Sequence, residues 1–193
     1  MPRLLRRGVP DDRHLREVRP RKPDTPRDHP EPVTPATAKT LTIRRYRPGD
    51  REAVRNLHDE ALNEVGAHLG SGPWDEDLDA IESVYLEGGG EFLVGTLEGK
   101  VVAMGALLRT SDERAQVTRM RVSPNLQGRG IGQELLDRLH GRAAELGYAS
   151  LHLDTTAQQV AAQRLYEKNG YRETGRGTVG PFRCLYYERE TGA

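Results

Sequence analysis

The chain has 193 residues, with 29 Lys and Arg balanced by 29 Asp and Glu. That length carries one domain whose core needs no cross-links, and the neutral charge gives no electrostatic reason to expect nucleic acid or an anionic membrane as a partner. The single cysteine, Cys184, excludes an internal disulfide, no apolar run reaches the length of a membrane helix, and the basic N-terminus lacks the apolar stretch of a secretion signal, so a reducing, cytoplasmic setting fits best.

Residues 1–40 differ in composition from the rest: eight of the 12 prolines lie there, with ten Lys and Arg against six Asp and Glu. Few apolar residues cluster in this stretch, which predicts a disordered Pro/Arg-rich tail. Its excess positive charge suits a weak contact with acidic partners as well as a solvated extension.

A folded domain is predicted over residues 41–193. Residues 41–46 alternate as a strand, and Pro48, Gly49 and Asp50 announce a helix over residues 51–65 with Asp50 as its N-cap. Val54, Leu57, Ala61, Leu62 and Val65 form its apolar stripe. After a Gly/Pro break at residues 68–74 comes a second predicted helix, residues 74–86, with Leu78, Ile81 and Tyr85 on one side and Gly88 to Gly90 ending it. Strands are predicted over residues 91–97, 101–109 and 115–122. Their short connections imply antiparallel hairpins, and Cys184 reads as a small filler of a later strand. A strand–helix–strand crossover follows the meander. Together these predict a mixed, mostly antiparallel α/β sheet with flanking helices.

The crossover opens on Val122, Ser123, Pro124, Asn125, Leu126, Gln127, Gly128, Arg129, Gly130, Ile131 and Gly132, before an amphipathic helix over residues 133–146. Glycines at 128, 130 and 132 allow positive φ and a close backbone approach, and a helix N-terminus adds unpaired amides, so a pyrophosphate is the natural guest. A P-loop is excluded because no Lys-Ser or Lys-Thr pair follows Gly132. A dinucleotide site has Asp154 at a fitting distance, but its third glycine falls one residue early and hairpins precede the turn. A tight turn without a ligand is the third reading.

Further on stand Leu165, Tyr166, Glu167, Lys168, Asn169, Gly170 and Tyr171. Together with the run from Gln127 to Gly132, this resembles the GNAT N-acetyltransferase superfamily, whose signature joins Gln/Arg-x-x-Gly-x-Gly/Ala to Leu-Tyr-Glu-x-x-Gly-Phe/Tyr. The resemblance is most specific over residues 120–171. It implies a GNAT fold in which two central parallel strands, residues 115–122 and 149–154, splay apart to admit a thioester.

It also implies acetyl-CoA as co-substrate, with no metal, and transfer of acetyl to a primary amine of a small molecule, peptide or protein by direct attack through a tetrahedral intermediate. The implied cofactor contacts are the backbone of Met120, Arg121 and Val122 along the pantetheine arm, and Gln127, Gly128, Arg129, Gly130, Ile131, Gly132 and Gln133 around the pyrophosphate. Gln159 stands where many relatives use asparagine. Tyr166 is the implied catalytic acid for the leaving thiolate, and Tyr171 is structural. A homodimer is frequent in the family.

One departure bears on catalysis. Many relatives carry a glutamate where this chain has Gln116, and an amide is no general base. Glu113 and Asp154 are the nearest carboxylates in sequence. A non-catalytic acyl-CoA-sensing module is therefore the alternative. Substrate choice is expected in residues 63–74 and 173–187, with Trp74 and Tyr85 either walling the acceptor groove or plugging the core.

Overall fold

The computed structural model describes residues 40–64, 66 and 72–192. The predicted tail, Val65 and the segment around His68 lie outside the described residues. Seven strands form one sheet in the order β1-β2-β3-β4-β5-β7-β6. They are β1 (Thr42–Arg45), β2 (Glu91–Leu97), β3 (Lys100–Arg109), β4 (Arg114–Val122), β5 (Ser150–Thr156), β6 (Arg172–Val179) and β7 (Phe182–Glu190). The α-helices are α1 (Arg51–Glu64), α2 (Ile131–Glu145) and α3 (Val160–Lys168). Every neighbouring pair runs antiparallel except β4 and β5.

Strand alternation distributes side chains to two cores. From β2, Phe92 and Val94 pack with Val54 and Leu57 of α1, while Leu93 joins Leu135, Leu136 and Leu139 of α2 on the other face. Burying side chains of this size stabilises by about 1.5–3 kcal/mol each, so both helices are held by their apolar stripes rather than by propensity. Cys184 is buried at a sheet position, paired with Thr156 and Gly177, and burial raises its thiol pKa.

Two expected boundaries change. Asp50 does not cap α1 from its own position: its carboxylate reaches back to accept the Arg47 N–H at 2.9 Å and pairs with Arg44 at 2.7 Å, because a 3-10 turn, Pro48–Asp50, starts the helix three residues earlier. The second helix is no single α-helix. It divides into a 3-10 segment, Pro73–Leu78, and a π-type turn, Glu82–Leu86, which nevertheless bury Leu78, Ile81 and Tyr85 as their spacing requires. None of the helices among the described residues is long and apolar enough to cross a membrane.

Two backbone features position the site. β4 and β5 pair only at Arg114, Ala115 and Gln116 against Ser150, Leu151 and His152, and beyond these residues no further register is kept. The second feature is a bulge where β3 and β4 lose register around Gly105, with Arg119 opposite it at φ 55. A Cβ on Gly105 would stand 2.6 Å from Met120 Sδ and 3.0 Å from Leu139, so glycine is required for the bulged strand to seat Met120 against α2.

Candidate active site

The glycine turn sits where β4 ends and α2 begins. Pro124–Leu126 forms one 3-10 turn, then Gly128 and Gly130 take φ 73 and φ 84, a region that an L side chain enters only with strain. The Glu134 N–H is the first to reach its i−4 carbonyl, that of Gly130, at 3.0 Å. The amides of Ile131, Gly132 and Gln133 are therefore left for a ligand at the positive end of a 15-residue helix.

A cleft of about 430 Å³ opens over these amides. Met120, Arg121, Val122, Gln127, Gly128, Gly130, Ile131, Gly132 and Gln133 all line it, together with residues of α3. Two expected contacts lie elsewhere. Arg129 is exposed and borders a different groove beside Glu98 and Glu134, while Gln159 N-caps α3, accepts the Thr155 hydroxyl at 2.8 Å and lines a second pocket.

Gly132 stands apart from Gly128 and Gly130 in lacking a positive φ. Its added Cβ would meet only Leu165 at 3.6 Å and Val122 at 3.8 Å, an ordinary contact, so any intolerance there must come from a ligand.

The second pocket, about 240 Å³, lies where the strands separate. Its lining includes His58 of α1, Asp75, Arg119, Asp154 and Tyr166. It shares Met120, Arg121 and Ala162 with the cleft over the turn, so two cavities meet at the splayed edge of β4.

Tyr166 stands at this meeting point. Its ring is 5 % exposed and packs edge-on against Tyr171 at 5.6 Å, whose hydroxyl lies 3.1 Å from His140 Nε2. Burial lifts the Tyr166 phenol to about 12, against the partial relief of Arg121, so at neutral pH it holds its proton.

A family model described as the acetyltransferase (GNAT) family matches residues 51–171, more than half of the chain. This chain belongs to the GNAT acetyltransferase family. Among curated relatives, N-acetylaspartate synthetase of Xenopus tropicalis is 36% identical over 101 residues, 51% of this chain and 37% of that protein. IAA acetyltransferase of Azospirillum brasilense is 37% identical over 92 residues, covering 47% and 59% respectively. The chain thus spans about a third to three-fifths of the length of these relatives.

Solved structures extend the similarity of fold. A GNAT acetyltransferase from Staphylococcus aureus aligns with TM-score 0.73 at 22% identity, covering 79% of this chain and 99% of its own. An acetyltransferase of Salmonella typhimurium, solved with its cofactor acetyl-CoA, aligns with TM-score 0.67 at 22% identity over 78% and 94%.

Within this GNAT domain, the position that lacks the glutamate has a carboxylate next to it. Gln116, which pairs with His152 at the last rung of β4 and β5, donates through Nε2 to Asp154 Oδ1 at 2.9 Å, two residues further along β5. Asp154 lines the second pocket, whereas Glu113 sits in the β3–β4 connection, where its carbonyl accepts the N–H groups of Ala149 and Ser150. The carboxylates that sequence left equal are therefore distinguished by geometry.

Trp74 and Tyr85 also part company. Tyr85 is a core plug, 1 % exposed, with its hydroxyl on Asp77, while Trp74 is 52% exposed and walls the second pocket.

Three residues at this site escaped the sequence reading. Arg119 binds Asp75 at 3.0 Å, Asp77 through Nε at 2.8 Å, and the Trp74 carbonyl, which ties the pocket wall to the bulge. Burial works against its charge, but the Asp77 carboxylate outweighs that and raises its pKa. Asp75 also lies 3.0 Å from Nε2 of His58, which is 1 % exposed. No local pattern announces a cluster assembled from positions 58, 75 and 119. The one clue was His58 next to the apolar stripe of α1.

Two histidines, the buried His58 and the half-buried His140, carry an acid response. Burial, with Arg121 and Arg119 nearby for His58 and Arg189 for His140, holds both down to about 4 from 6.5. Below 6.5 the unfolded chain takes up protons at these positions that the folded chain refuses, so stability is full above that pH and is lost towards 4. The expected loss is of the order of 2 kcal/mol per histidine across the window. Melting temperature should already decline between pH 6.5 and 5, before most carboxylates titrate, and less so in His140→Gln. A flat profile over that interval would contradict this account.

Proposed function

We propose that this chain is an acetyl-CoA-dependent N-acetyltransferase acting on a primary amine. The observation that carries the reading is the junction of the two cavities at Met120, Arg121 and Ala162, with Tyr166 beside it. The free amides of Ile131 to Gln133 and the positive-φ glycines fit a pyrophosphate, and the unpaired edge of β4 after Gln116 fits an extended pantetheine arm. Bound acetyl-CoA supplies a thioester carbonyl open to a neutral amine.

Each residue then has a task. Backbone amides of β4 near the bulge are the donors that polarise the carbonyl oxygen. Asp154, on the acceptor side, takes the proton that the amine must lose, directly or through water, and Gln116 orients that carboxylate. Tyr166, still protonated, delivers a proton to the departing sulfur. The names of relatives range from N-acetylaspartate synthetase to the ribosomal-protein-S18-alanine N-acetyltransferase of Escherichia coli, so the similarities leave both small-molecule and protein acceptors open.

Gln116 in place of glutamate favours the second reading, a sensing module that holds acyl-CoA without turnover. Calorimetric titration with acetyl-CoA, followed by thiol release across amino acids, polyamines, aminoglycosides and peptide N-termini, separates the two. Binding with turnover supports the enzyme, binding without turnover the sensor, and absence of binding removes both. Gly130→Val is expected to weaken acetyl-CoA at least tenfold, because φ 84 is strained for a β-branched residue and its side chain enters the anion's space. Unchanged affinity would relocate the cofactor.

A further inference from the structure

Among the described residues that line the second pocket, Arg121 is a cation held by no ion pair. Arg121 lies past the last paired rung of β4 and β5, and it lines the pocket together with Arg119, Asp75, Asp154 and Tyr166. Nη1 donates to the Met120 carbonyl at 2.8 Å, but the buried Nε has no hydrogen-bond partner. Among the described residues, no carboxylate forms an ion pair with it. The nearby acids are engaged elsewhere: Asp75 holds Arg119 at 3.0 Å, and Asp154 accepts from Gln116 at 2.9 Å.

Burial pulls its pKa down to about 10, with the like charge of Arg119 adding to the effect. A guanidinium in this position is costly unless an anion completes it. Arg119, two residues earlier, shows the satisfied arrangement, with two carboxylates around it.

Across the pocket stands a group of opposite sign. Asp154, on β5, is exposed towards the pocket and has no cationic side chain paired with it among the described residues. The pocket thus has a positive wall on β4 and a negative wall on β5. A polyamine or aminoglycoside would place additional positive charge against Arg121. An amine that carries its own carboxylate meets both walls, with nitrogen towards Asp154 and carboxylate on the guanidinium. The volume of about 240 Å³ falls below that of drug-sized ligand sites and suits a small acceptor.

We infer that the acceptor is a small amine bearing a carboxylate, of the amino-acid class, and that the Arg121 side chain is the specificity determinant that binds this carboxylate. The inference rests on the transferase reading above.

The test uses the 193-residue chain and matched pairs: L-methionine, L-alanine and L-leucine, each against its α-carboxamide. Wild type should prefer each carboxylate by roughly ten- to a hundredfold in kcat/KM, the scale of one buried charged hydrogen-bond contact. Arg121→Met should bring that ratio close to one, chiefly by raising KM for the carboxylate member, while the amides act as internal reference for folding. Arg121→Lys should restore part of the preference, since it keeps the charge without the planar fork.

If Arg121→Met weakens both members of each pair equally, or weakens acetyl-CoA itself, the guanidinium serves the cofactor and the inference fails. It also fails if no carboxylate outperforms its amide, either in turnover or in binding to the CoA-loaded protein. Acetyl-CoA titration of wild type is read separately, so loss of the transferase reading is distinguished from loss of this one.

Discussion

Tyr166→Phe is expected to lower kcat by roughly ten- to a thousandfold and to leave acetyl-CoA affinity within a few-fold of wild type, the range for removing one general acid. The phenol is buried, burial lifts its pKa to about 12, and its ring is held by Tyr171 on one side and Tyr187 at 6.5 Å on the other, so phenylalanine keeps the packing and loses only the hydroxyl with its proton. Pre-steady-state thiol release and calorimetry check the two halves. An unchanged rate would remove Tyr166 from the chemistry, whereas a loss of cofactor affinity equal to the loss in rate would make it a binding residue.

Arg119→Met should have the largest effect on stability. The guanidinium holds Asp75, Asp77 and the Trp74 carbonyl, and its side chain is only 13% exposed. Removing it leaves two carboxylates facing each other with their shared partner gone, which typically costs about 3–5 kcal/mol. For a domain of this size that corresponds to a fall in melting temperature of roughly 6–20 °C. Because the same residue sits at the bulge with φ 55, the 3-10 wall and β4 should loosen together, and activity should fall beyond what stability accounts for. Arg119→Lys should recover part of the loss. A variant that melts like wild type would show that the clamp is not what holds residues 72–78 to the sheet.

The difference between these two residues separates what was readable in the chain from what was not. Tyr166 and the turn residues from Gln127 to Gly132 belong to contiguous stretches. Glycine spacing and a helix start encode the backbone shape of the turn locally, so the turn was legible from sequence, and the roles given to it and to Tyr166 are those proposed above. The strands from Glu91 to Val122 were legible for the same reason, since alternation and short turns act over a few residues. The segment Pro73–Leu86 was legible only in its buried face. Its apolar spacing specified Leu78, Ile81 and Tyr85, but the 3-10 and π geometry answers to contacts with Arg119 and the sheet.

By itself, then, the sequence determined the order of elements, the antiparallel meander and the glycine turn before α2, all consequences of short-range periodicity and of glycine's access to positive φ. Only the tertiary structure decided that Asp154 rather than Glu113 stands beside Gln116, that Trp74 walls a pocket while Tyr85 fills the core, and that His58, Asp75 and Arg119 meet. Those outcomes depend on contacts between positions well separated in the chain, 38 residues for Gln116 and Asp154 and 44 for Arg119 and Asp75. The residual charge of Arg121 is of the same kind. A guanidinium lacks an ion pair among the described residues only relative to everything folded around it, and no stretch of sequence carries that information.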